Sequence, residues 1–115
     1  MRLALKNLKL YGEPVDFRKS INGLLIELSS IELFKFEPEV GYIFFNNDKN
    51  KLKLLYREQQ GFCIWHKRLD GRGFKLQDDL PKLSSINEEH FCGLRSGLDL
   101  RFSEKLFNAK KLVFN

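Results

Sequence analysis

The nine residues Gly-Phe-Cys-Ile-Trp-His-Lys-Arg-Leu at 61–69 constrain this chain more than any other stretch. Phe62, Ile64 and Trp65 are strong strand formers, and the run is too short and too aromatic for a typical helix. Gly61 opens it as a turn residue, and Asp70-Gly-Arg-Gly73 closes it. Alternation along a strand puts Phe62, Ile64, His66 and Arg68 on one face. Cys63, Trp65, Lys67 and Leu69 fall on the other. Both faces begin apolar and end polar. One end is predicted to be buried on both sides, and the other to reach a basic surface.

The segments before it read as partners. An apolar strand is predicted over 42–46, including Phe44, with burial on both faces or a partner covering one of them. Asn-Asn-Asp-Lys-Asn at 46–50 is turn chemistry, because Asn and Asp tolerate left-handed backbone angles. The chain then returns antiparallel over 51–57, with Leu52, Leu54 and Tyr56 on one face and Lys51, Lys53, Leu55 and Arg57 on the other. A short strand at 74–76 extends this antiparallel meander to three or four strands. Near the start, alternation predicts a strand over 8–11, with an earlier strand or hairpin arm possible before it. A helix is predicted from about Val15 or Asp16, with Asp16 as its N-cap. Phe17, Ile21, Leu24, Leu25, Leu28 and Ile31 form its apolar stripe, which Gly23 interrupts. Residues 77–84 read as a loop. Ser85 followed by Glu88 is a capping-box pattern for a short helix over 86–96, stopped by Gly97. The tail at 101–115 is a basic extension that reads equally as helix over 103–113 or strand over 112–114.

The expected fold is therefore α+β, in a single domain spanning 1–115. An antiparallel meander of three to five strands carries an N-terminal amphipathic helix and a short C-terminal helix. The expected core is Phe17, Ile21, Leu24, Leu28, Phe44, Leu54, Phe62, Ile64 and Trp65. With 43% hydrophobic residues and eleven Phe the chain can build that core, so global disorder is not expected. Its apolar runs are too short to span a bilayer, and the N-terminus lacks a signal-peptide stretch. No membrane association is expected, and a cytoplasmic location is.

No catalytic constellation stands out. Cys63 and His66 are three apart on one strand and point to opposite faces. Asp78 and Asp79 lack a third acid at a useful spacing, so a hydrolase or nuclease reading finds no support. Gly71-Arg-Gly73 is too short for a phosphate loop. His66, His90, Cys63 and Cys92 form no recognised metal spacing. No metal, cofactor or disulfide is expected. Charge is more informative. Residues 49–76 hold eight cations and two anions, whereas 24–48 hold one and five. Two readings of the basic stretch stand. Lys51, Lys53, Arg57, His66, Lys67, Arg68 and Arg72 neutralise phosphates, with Tyr56 or Trp65 stacking on a base. Alternatively they keep a sheet edge soluble while the aromatics fill the core. Arg18 and Lys19, placed in a helical first turn, oppose the helix dipole. They either pair with carboxylates or bind an external phosphate.

The block at 61–69, with Pro-Val-Asp-Phe-Arg-Lys-Ser-Ile-Asn-Gly-Leu at 14–24, Gly-Tyr-Ile-Phe-Phe at 41–45 and Lys-Leu-Lys-Leu-Leu at 51–55, resembles a known bacterial family. This is the Orf2-like accessory protein of the insertion-sequence family numbered sixty-six, and the likeness covers roughly 8–100. The resemblance implies a non-enzymatic accessory protein that assists a separate transposase of the same element and binds element DNA. A second implication is a pure interaction module that docks the transposase, or a second copy as a homo-oligomer, without touching DNA. Two departures stand out. The 46–50 tip lacks the arginines common in the family, and His66 stands where Tyr is usual.

Overall fold

Six consecutive residues without a charged side chain, Val40–Phe45, are buried at every position and form the middle strand of a five-stranded sheet. The computed structural model describes residues 2–3, 7–68, 70, 79–85 and 112–113. In chain order the elements are β1 (Arg2–Leu3), β2 (Asn7–Tyr11), α1 (Ile21–Ser29), β3 (Val40–Phe45), β4 (Lys51–Glu58), β5 (Gly61–Arg68), β6 (Leu83–Ser85) and β7 (Leu112–Val113). The sheet order is β5-β4-β3-β2-β6, and β1 pairs separately with β7.

The meander β3-β4-β5 has the predicted antiparallel pairing and face parity. Leu55 lies opposite Tyr42 and Ile64, and Lys53 lies opposite Phe44 and His66. The sheet as a whole is mixed rather than antiparallel, because β2 runs parallel to β3, with Leu8 opposite Gly41 and Leu10 opposite Ile43. The reason is topological. The chain leaves β2, crosses over through α1 and re-enters beside β2, which produces a parallel neighbour. Residues expected in a loop instead supply β6, antiparallel to β2. Ser85, expected to cap a helix, is its last residue. The expected C-terminal helix and the 74–76 strand lie outside the described residues. At the tail, 112–113 is strand.

The helix is shorter than predicted. It starts at Ile21, and Ser20 is its N-cap without a side-chain hydrogen bond. Asp16 closes its own turn instead. Its carboxylate accepts from the Arg18 amide at 2.9 Å, and its carbonyl accepts from the Lys19 amide at 3.0 Å. Phe17, Arg18 and Lys19 thus belong to the crossover, so the helix-dipole argument for Arg18 and Lys19 does not apply. Leu24 and Leu28 are fully buried, against a face built from Tyr11, Val40, Tyr42, Phe44 and Leu55. Leu8, Leu10, Ile43, Phe45, Leu52, Leu54 and Tyr56 are buried on the opposite face. Phe17, Ile21, Phe62, Ile64 and Trp65 are half-buried. For the last three the reason is position: β5 is an edge among the described strands, so the core centres on β3 and β4 rather than on the aromatic strand.

Two glycines mark close approaches. A Cβ on Gly12 would lie 2.0 Å from the Pro81 carbonyl oxygen, where the Gly12 amide donates to the Lys82 carbonyl at 2.9 Å. A Cβ on Gly23 would lie 2.9 Å from the Lys19 Cβ. The space at Gly23 therefore accommodates the Lys19 side chain, which crosses the helix to reach Glu27.

Candidate nucleic-acid interface

Asn46 organises the turn between β3 and β4. Its side-chain oxygen accepts from the Asn50 and Lys51 amides, both at 3.0 Å, and its amide nitrogen donates to the Asn50 side chain. Lys49 takes a left-handed backbone there, with φ 56°. The crossover is moored beside this turn, since the Val15 amide donates to the Phe45 carbonyl at 2.9 Å. Between turn and crossover lies an open groove of about 620 Å³, lined by Pro14, Val15, Asp16, Phe17, Arg18, Asn46, Asn47, Asp48, Lys51 and His66.

Lys53 forms the groove's inner support. It is 8% exposed. Its ammonium donates to the Phe17 and Lys19 carbonyls, both at 2.9 Å, and sits 4.8 Å from the Phe17 ring centroid. Burial, and then the neighbouring Lys51 charge, lower its pKa. The Phe17 ring meets the His66 ring edge-on at 5.7 Å. His66 is exposed overall, yet partial desolvation of the ring, followed by the Lys53 and Lys51 charges, lowers its pKa below the ordinary imidazole value. Two blocks far apart in the chain, Asp-Phe-Arg-Lys at 16–19 and Trp-His-Lys-Arg at 65–68, thus meet through Phe17, Lys53 and His66.

The sequence-predicted cations separate into groups. Lys51 and Arg68 face each other across β4 and β5, on the same face as Lys53 and His66. Neither has an ion pair among the described residues. Like charges directly opposite on a sheet cost a few tenths of a kcal/mol, which an anion between them would remove. Arg18 also lines the groove but is paired with Asp16, whose pKa its hydrogen bonds hold down at about 2. Lys19 pairs with Glu27, which also accepts from the Tyr11 hydroxyl at 2.9 Å. Arg57 lies at the far end of β4, about 20 Å from Lys51 at strand rise, with its guanidinium 5.0 Å from the Phe62 ring centroid. Lys67 pairs in register with Leu52 and so belongs to the opposite face. Tyr56 is buried there, its hydroxyl pushed up to about 12 by burial and by Cys63. Arg72 lies outside the described residues.

The sequence reading missed Lys53 as a tether and Asn46 as the turn's organiser. The signal for Asn46 was present, since Asn stands at both ends of the 46–50 tip. Lys53 had no signal beyond its face. Cys63 is a free thiol. Among the described residues no group of three or more metal-ligating side chains converges, and no helix is long and apolar enough to cross a membrane.

A small α+β domain with one mixed sheet, and a groove lined by both cations and acids between a sheet turn and a crossover, is the class that fold and site define. Residues 6–105 match the family described as IS66 Orf2 like protein, and the chain belongs to that family. Membership places it among the accessory proteins of transposition, which is not a known catalytic family. No curated protein and no solved structure matches it.

Proposed function

We propose that this protein is a non-catalytic accessory of DNA transposition. It acts with the transposase of its element by binding element DNA at the groove beside the β3–β4 turn. The observation that carries this reading is the cross-strand pair Lys51 and Arg68, two like charges opposite each other in register, of which Lys51 lines the groove with Arg18 and His66. Such a pair is stabilised by a bridging phosphate. Lys53 supports the groove from behind, and Arg57 and Lys67 are secondary contacts at most. A gel-shift titration with terminal inverted-repeat DNA at several salt concentrations tests it. Binding should weaken steeply with salt, and Lys51→Ala or Arg68→Ala should each lower the log–log slope by about 1. No binding at low salt rejects the reading.

A second reading is favoured by the edge position of β5 among the described strands and the half-exposed Ile64 and Trp65 on its two faces. Such an edge pairs with a strand of another chain. In that case the transposase or a second copy co-purifies with the protein while DNA binding fails.

A further inference from the structure

The groove is built from more than fixed charges: an imidazole, that of His66, stands in its wall. His66 lies opposite Lys53 in register, its ring lies against Phe17, and it lines the same groove as Arg18 and Lys51. Lys53 cannot swing away, because its ammonium is held on the Phe17 and Lys19 carbonyls. From β4, His66 therefore faces Lys51 and Lys53; along β5 its same-face neighbour is Arg68. From the crossover come Arg18 and Asp16, which neutralise each other, and from the turn comes Asp48. Partial desolvation, and then the predominantly positive fixed charges around the ring, disfavour a further proton on His66.

Resting on the DNA reading above, we propose that the groove is a seat for one backbone phosphodiester, and that seating it adds a proton to His66. A phosphate held between Lys51 and Arg68 brings negative charge beside the imidazole. It turns a site that repels the proton into one that accepts it. His66 then donates a charge-assisted hydrogen bond to a phosphate oxygen, with the proton drawn from solvent. Binding and proton uptake are linked, so affinity rises as pH falls through the imidazole range.

The test uses the whole chain and a short duplex of terminal inverted-repeat sequence at fixed ionic strength. Affinity is measured between about pH 8 and about pH 5.5. Wild-type binding should tighten toward about tenfold per pH unit over part of that range, the limit for one proton. His66→Tyr and His66→Gln should flatten this dependence, whatever their affinity at the upper end, whereas His90→Asn should retain it. In parallel, an NMR titration of the wild type follows the His66 ring protons. The midpoint should lie below the ordinary imidazole value in the free protein and above it in the complex. An equal slope in wild type and both His66 variants overturns the inference, as does DNA binding with an unmoved His66 midpoint; both outcomes leave the DNA reading intact. No DNA binding at any pH overturns the DNA reading and the inference together.

Discussion

Lys53 shows how far one buried cation can depart from its place in a sequence pattern. It alternates with Lys51 along β4 and reads as a second surface lysine. Its face was predicted correctly, but its burial depends on a crossover folded over that face, which alternation does not reveal. Removing its ammonium leaves the Phe17 and Lys19 carbonyls without their donor. Lys53→Met should cost about 1–3 kcal/mol, read as a lower urea midpoint with unchanged slope. Glu27 is the corresponding acid. The hydrogen bond from Lys19, and then that from Tyr11, hold its pKa below the ordinary carboxylate value. A carboxylate lowered by folding contributes stability above its unfolded pKa and loses it as pH falls through the folded one. Urea midpoints should therefore drop on acidification through the Glu range, and Glu27→Gln should shrink that drop.

At the level of elements, β3, β4 and β5 and their pairing were legible, because each is bounded by turn residues and alternates or is uniformly apolar. The start of α1 was not, because Asp16 serves a local turn as readily as a helix cap. The parallel β2–β3 pairing had a signal that went unread: strand, helix, strand in succession is the pattern of a crossover unit. The placement of β6 had almost none, since three residues after Pro81 look like any loop. Gly12 makes that placement possible. Gly12→Ala would force a methyl onto the Pro81 carbonyl, which must move. We expect a loss of about 1–3 kcal/mol, as for other overpacked sites. Hydrogen exchange should show the loosest amides in β6 rather than in the meander.

Across the whole molecule, a net charge of +5 conceals an uneven arrangement. Lys51 and Arg18 line the groove and Arg68 lies opposite Lys51 in register, while Arg57 falls at the far end of β4 and Lys67 on the other face. Charge counting along the sequence found the basic stretch but not this division, since strand parity and register are both needed to see it. Salt dependence reads the division directly. Arg57→Ala and Lys67→Ala should leave the slope of DNA binding nearly unchanged, whereas the Lys51→Ala/Arg68→Ala pair should lower it by about 2.

The pairing of β2 with β6 joins residues 9–11 to residues 83–85. During synthesis β2 leaves the ribosome before the other strands of its sheet, gains β3 on one side early, and must wait for most of the domain before its other side is covered. Until then it displays a bare row of amides and carbonyls, the template on which strands of neighbouring nascent chains assemble. The three residues of β6 close that window, and a chain interrupted before residue 83 leaves it open.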